Sequence, residues 1–173
     1  MGRRNHVLNK WLVVFLLLTT MGCDQVTKQV ARSIFPNRER RVTSIGIIHF
    51  RYAENPGGLL GIGEDLPESV RFWVLTVATG IGLGVLISFL LHQRGIPLLQ
   101  GSGLVLLAGG GASNLLDRML NEGRVVDFMV VRVGELQTGV FNVADVVILS
   151  GFGLILTSLL LPPRVSSPSP PAP

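Results

Sequence analysis

FNVADVVILSGFGLILTSLLL, residues 141–161, decides the class of this fold. From Val146 to Leu161 no side chain is charged. With its opening turn the stretch reaches the length of about 20 mostly apolar residues that a helix needs to cross a bilayer. Asp145 falls in that opening turn, where the helix meets the polar edge of the membrane. Moving toward the N-terminus, the chain is free of charge from Gly95 to Leu116, and then meets Asp117 and Arg118. It is free of charge again from Phe72 to Leu91. A first apolar run, WLVVFLLLTTMGC from Trp11 to Cys23, is too short alone, and a spanning helix must continue past Asp24 and Lys28. The sequence therefore predicts an all-α integral membrane protein, a four-transmembrane-helix bundle with spans at about 11–31, 71–92, 97–117 and 141–161.

Composition agrees. The chain is 47% hydrophobic and 15% charged over 173 residues, whereas soluble domains carry roughly 25% charged residues. The length fits one membrane-embedded domain, residues 1–161, followed by a Pro/Ser-rich tail at 162–173 (PPRVSSPSPPAP) expected to be disordered. The net charge of +4 comes from scattered basic residues with no dense patch, which fits lipid headgroups and argues against a nucleic-acid partner. A single cysteine, Cys23, excludes an internal disulfide framework and a Cys-rich metal site.

Between the first two spans, IGIIHFRY (45–52) followed by NPGG (55–58) reads as strand, turn, strand. RVVDFMVVRV (124–133), between the last two spans, is a second β-prone run. A short turn around His92, Arg94 and Pro97 joins spans two and three. Glycines recur in spans two, three and four, as they do where membrane helices pack closely, and no further role is assigned to them.

With alternating span directions, Asp24, Asn55, Asn114, Asp117, Asp127, Asn142 and Asp145 all fall on one side of the membrane. Four of the chain's five aspartates are in this set, Asp65 being the exception. Ionisable groups near hydrocarbon are costly and usually face an interior cavity and serve a function. Structural roles compete for several of them. Asn142 can be a helix N-cap with Asp145 favouring the same helix end. Asp24 and Lys28, four apart, can form a helix pair worth only about 0.3–0.5 kcal/mol. Asp117 and Arg118 can form a buried clamp. Asp127 interrupts an apolar run with no basic neighbour in sequence, so its carboxylate needs a reason. His6, His49 and His92 share no site on this topology, and no His-Glu-x-x-His, Gly-x-Ser-x-Gly or phosphate-binding loop occurs. Ser113 has no histidine or lysine placed as its base.

Five pieces then coincide in order: Asp24-Gln-Val-Thr-Lys28, Asn55-Pro-Gly-Gly-Leu-Leu-Gly61, Gly109-Gly-Gly-Ala-Ser-Asn-Leu-Leu-Asp-Arg118, Val125-Val-Asp-Phe128 and Phe141-Asn-Val-Ala-Asp145. Across residues 8–161 the chain resembles the lipoprotein signal peptidases, the signal peptidase II family. The resemblance implies a small extracytoplasmic β-sheet beside the four spans, with both termini in the cytoplasm. It implies a multi-pass aspartic endopeptidase of the bacterial cytoplasmic (inner) membrane with its active site on the extracytoplasmic side. Its substrates would be diacylglyceryl-modified prolipoproteins, cut just before the lipidated cysteine. Asp127 and Asp145 carry over as the catalytic dyad, while Asp24, Asn55, Asn114, Arg118 and Asn142 support the dyad or contact substrate. No cofactor or metal is expected, and the partners are prolipoprotein and membrane lipid around a monomer. The chain departs from the family in having Ser113 where glycine is usual, and in lacking aromatic residues between Met129 and Gly139.

Two other readings compete. Thr20-Met-Gly-Cys23 after a basic and apolar start looks like a lipoprotein cleavage site, although three further spans follow. Intramembrane acids could also mark a cation or proton carrier, but here they lie at one edge and no internal repeat is apparent. Ten of the fifteen basic residues fall on the side assigned as external, the reverse of the usual bias.

Overall fold

The computed structural model describes residues 8–35, 43–93 and 95–161. Arg94 and the Pro/Ser-rich tail fall outside these residues. Helix α1 (Lys10–Ile34) starts at Asn9, whose side-chain oxygen accepts from Leu12 N at 2.8 Å, and runs on through Asp24 and Lys28. Strands β1 (Thr43–Ile45) and β2 (Ile48–Asn55) follow. Helix α2 (Glu68–Arg71), a π-helical segment (Phe72–Ala78) and α3 (Thr79–His92) form one continuous helix, Glu68–His92. Helix α4 (Leu98–Leu120) leads into β3 (Val125–Val133) and β4 (Leu136–Gln137), and α5 (Val143–Leu160) completes the described chain.

The molecule is mostly helical, with one four-stranded antiparallel sheet in the order β1-β2-β3-β4. Two helices among the described residues are long and apolar enough to cross a membrane, Glu68–His92 and Val143–Leu160. The other two long helices, α1 and α4, carry Asp24, Lys28, Asp117 and Arg118 inside them. Burial runs opposite to that of a water-soluble protein. Leu18, Val85 and Leu159 are each about two-thirds exposed, whereas Asp24, Lys28 and Asp127 are completely buried. Such an arrangement suits a solvent of lipid, in which apolar side chains face outward and charged groups need partners inside.

The sheet corrects the strand-turn-strand reading. Asn55-Pro-Gly-Gly58 is followed by a 3-10 turn, Leu59–Gly61, and no strand lies between it and α2. The partner of β2 lies before it, in β1, across a two-residue turn that pairs Ile45 with Ile48. Gly46 makes this turn at φ +60°, a conformation that costs glycine little and opens hairpins of the matching twist. On its other side β2 pairs with β3, setting Ala53 opposite Asp127. Thr20 to Cys23, the stretch resembling a lipoprotein cleavage site, lies inside α1.

The glycines do more than populate the helices. Side chains on Gly103 or Gly151 would collide with the facing helix: a Cβ on Gly151 would lie 2.6 Å from Gly103 O, and one on Gly110 would lie 2.7 Å from Ala144 O. Helices α4 and α5 therefore approach backbone to backbone. Asn114 is one turn beyond Gly110, and Asp145 follows Ala144, so this contact brings those two residues face to face. Gly153 meets nothing within 4 Å. Gly151→Val should overpack the contact at a cost of about 1–3 kcal/mol and lower the melting temperature in detergent by several degrees. Gly153→Ala should leave it unchanged or slightly raised, and equal melting of the two variants would show that the helices are not held this closely.

Candidate active site

A polar core forms where α1, α4, α5 and β3 meet. At its base is Lys28, fully buried, with its ammonium 2.6 Å from Asp24 Oδ2 and 3.1 Å from Asp117 Oδ2. Its third short contact is a hydrogen bond of 2.8 Å to Asn114 Oδ1. An ammonium has three protons to donate, and each has an oxygen here. The remaining acceptors are also filled. Ala144 N donates to Asp24 Oδ1 at 2.8 Å, and Ser113 Oγ donates to Asp24 Oδ2 at 2.7 Å. Gln25 Nε2 donates to Asp117 Oδ1 at 2.9 Å, and Val126 N to Asp117 Oδ2 at 3.0 Å. Asp24 thus ties α1 to the start of α5, and Asp117 ties α4 to β3.

A layer of three asparagines lies above this base. Asn114 Nδ2 donates to Asp145 Oδ1 at 2.9 Å. Asn142 caps α5: its side chain accepts from Asp145 N at 2.9 Å, and Asp145 Oδ2 accepts from Asn142 N at 3.2 Å, a reciprocal capping box. The same Asn142 donates through Nδ2 to Asp127 Oδ1 at 2.7 Å and to Asn114 Oδ1 at 3.2 Å. Asn55 Nδ2 reaches Asp127 Oδ2 at 2.9 Å from the end of β2, and its Oδ1 accepts from Gly57 N. Backbone bonds between Phe141 and Met129 hold the residue before Asn142 against β3.

All seven polar residues grouped by the sequence are joined in this one network. Asp127 and Asp145 occupy its top, each bonded to Asn142. Both oxygens of Asp127 accept amide hydrogens, yet its pKa is pushed up to about 7. Burial is the main cause, and the charge of neighbouring Asp145 is the second; the Asn55 and Asn142 donors and Lys28 oppose them. Arg118 donates to Gly57 O at 2.8 Å, bracing the Asn55 turn from α4. It also lines a cleft of about 810 Å³ between the π-helical segment and the end of α4, with Phe72, Val77, Ile81 and Leu115 among its walls.

Residues 16–161 match the family model for signal peptidase (SPase) II. This chain belongs to the signal peptidase II family. The lipoprotein signal peptidase of Chlorobium phaeovibrioides is 38% identical over 151 residues, covering 82% of this chain and 86% of that one. That of Moorella thermoacetica is 34% identical over 150 residues, covering 86% and 93%. A solved structure described as a bacterial membrane enzyme, determined by the in meso method at 2.3 Å resolution, superposes with a TM-score of 0.69 at 25% identity, covering 86% of this chain and 87% of that one. Signal peptidase II is a protease family of bacterial membranes that removes signal peptides from prolipoproteins.

Two readings of the polar residues change. Asp24 and Lys28 do form the i,i+4 pair, but both are fully buried and the pair is one edge of a larger network, so the small value of an exposed pair does not apply. Asp117 is not clamped to Arg118. Its partners are Lys28, Gln25 and Val126 N, and Arg118 turns toward Gly57 instead. Lys28, Gln25 and Ser113 were not singled out as site residues from sequence. A lysine four residues after an acid in a spanning helix was the available signal, but only the fold shows that Asp117 approaches it. Removing one partner of a buried ion pair costs about 3–5 kcal/mol, so Lys28→Met should strongly lower the melting temperature. Adding Asp24→Asn should restore part of the loss, and an unchanged melting point in Lys28→Met would contradict the network.

Proposed function

We propose that this chain is an aspartic endopeptidase that removes signal peptides from diacylglyceryl-modified prolipoproteins, cutting just before the lipidated cysteine. Asp127 and Asp145 act as the catalytic dyad. The observation that carries this reading is the meeting of two carboxylates, remote in sequence, on one asparagine, where burial and the charge of Asp145 push the pKa of Asp127 up to about 7. Two carboxylates this close do not both ionise readily, so one proton is shared between them. The ionised member takes a proton from water, and the water attacks the scissile carbonyl. The protonated member donates to the carbonyl oxygen, and a proton then passes to the leaving amine. The shared proton belongs to the pair and not to either residue.

Asp24, Asn55, Asn114, Arg118 and Asn142 support the dyad or contact substrate in this proposal. The two asparagine donors on Asp127 orient its oxygens, and Asn114 does the same for Asp145. The cleft beside Arg118 joins an apolar wall of Phe72, Val77, Ile81 and Leu115 to charged groups at Glu68, Arg71 and Glu122, which suits a substrate with apolar chains in lipid and a polar peptide at the edge. We take α1 and α4 as spans also, giving four, since their charged residues are neutralised inside the bundle and their outer faces are apolar. The dyad then lies at the extracytoplasmic edge of the inner membrane. A monomer suffices, because every side chain of the network comes from one chain.

A gel-shift assay on a diacylglyceryl prolipoprotein tests the proposal. Asp127→Asn and Asp145→Asn should each bind substrate and lose cleavage by ~10²–10⁴-fold, the usual worth of a positioned acid or base. Full activity in either variant would remove that residue from the dyad.

A further inference from the structure

Ser113 has a hydroxyl that the peptidase chemistry above does not use and that the fold nevertheless places with both lone pair and proton committed. It is fully buried in α4, next to Asn114. Its Oγ donates to Asp24 Oδ2 at 2.7 Å and accepts from Gln25 Nε2 at 3.0 Å. Gln25 also donates to Asp117 Oδ1 at 2.9 Å, so the hydroxyl links the two acids that flank Lys28. The other oxygen of Asp24 accepts from Ala144 N at 2.8 Å, one residue before Asp145. A path of three short contacts therefore runs from the Gln25 amide through the Ser113 hydroxyl and the Asp24 carboxylate to the first turn of α5.

We infer that Ser113 is a positioning residue, whose hydroxyl fixes the orientation of Asp24 and through it the placement of Asp145 at the start of α5. The inference rests on the peptidase reading only for its catalytic consequence. Two geometric facts carry the rest. Asp24 Oδ2 has two donors, Lys28 and Ser113, and a carboxylate gripped from two directions cannot rotate toward the ammonium. The Lys28 ammonium also serves Asn114 Oδ1, and Asn114 in turn donates to Asp145. Without the hydroxyl, Asp24 has only Lys28 to hold Oδ2. The pair is then free to tighten at the expense of the Lys28–Asn114 and Ala144–Asp24 contacts, which are the two connections to the turn bearing Asp145. Ser113 touches neither carboxylate of the dyad, so its effect belongs to the catalytic step rather than to substrate capture.

Three variants separate this role from simple packing. Ser113→Ala keeps nearly all the volume and loses the hydroxyl; Ser113→Gly loses both; Ser113→Thr keeps the hydroxyl. Ala and Gly variants should lower kcat for prolipoprotein cleavage about tenfold, the rate equivalent of one well-placed charge-assisted hydrogen bond, with KM unchanged. Ser113→Thr should recover most of the rate. Wild-type kcat in Ser113→Ala, or a loss confined to KM, would overturn the inference. A double-mutant cycle of Ser113→Ala with Asp24→Asn, read by thermal melting, stands whether or not the wild type cleaves prolipoprotein. The two substitutions should lower the melting temperature by less together than the sum of their separate effects. Additive shifts would overturn the Ser113–Asp24 link, whereas coupling without wild-type cleavage would overturn the peptidase reading and leave the link intact.

Discussion

One ammonium group, that of Lys28, stands between the helices and the site. It is buried where water cannot reach it, and a charge in that position is tolerated only because Asp24, Asp117 and Asn114 surround it. Each of those partners makes a further connection. Asp24 receives the backbone of α5, Asp117 receives the backbone of β3, and Asn114 reaches the carboxylate of Asp145. Satisfying one lysine therefore fixes two helices and a strand relative to α1. Few local rearrangements are open to the network, because every change leaves a buried charge or amide without a partner.

Asparagine dominates the layer above for a related reason. An amide supplies two donor hydrogens and an acceptor without adding charge. Asn142 uses all of this capacity, capping α5 with its oxygen and bonding Asp127 and Asn114 through its nitrogen. The capping role and the role in the site are the same geometry seen from two sides: the turn that starts α5 is the turn that presents Asp145. Two carboxylates raised on this layer are held in place without being neutralised by a direct ion pair. A cation in direct contact would hold both carboxylates ionised; the amide donors on Asp127 pull its pKa down less than burial and the charge of Asp145 push it up, to about 7.

Much of this was legible in the sequence. Long charge-free runs marked the helices, because a 20-residue apolar stretch has few other uses. The gathering of Asp24, Asn55, Asn114, Asp117, Asp127, Asn142 and Asp145 followed from counting span directions, and the hydrogen bonds join all seven. The sheet was less legible. The β-prone runs 45–52 and 124–133 were visible, but the Pro-Gly-Gly turn suggested a hairpin after Asn55, and the actual partners of β2 are β1 and the distant β3. Local turn chemistry says that a chain reverses; it does not say what it reverses onto. Pairings across the bundle were hidden for the same reason. Adjacency in sequence offered Arg118 to Asp117, while the packing of α1 against α4 delivered Lys28. The glycines, ordinary by composition, acquire their meaning only from the helix that faces them.

The most direct test of the account is the pH–rate profile of prolipoprotein cleavage under kcat/KM conditions. A dyad sharing one proton is active only while one member is protonated and the other ionised. The profile should be bell-shaped, with activity falling on the alkaline side as the pair loses its shared proton, in the range set by the raised Asp127 pKa of about 7. A rate that stays level through neutrality and on to pH 9 would contradict the shared proton, and with it the account of how these two carboxylates work.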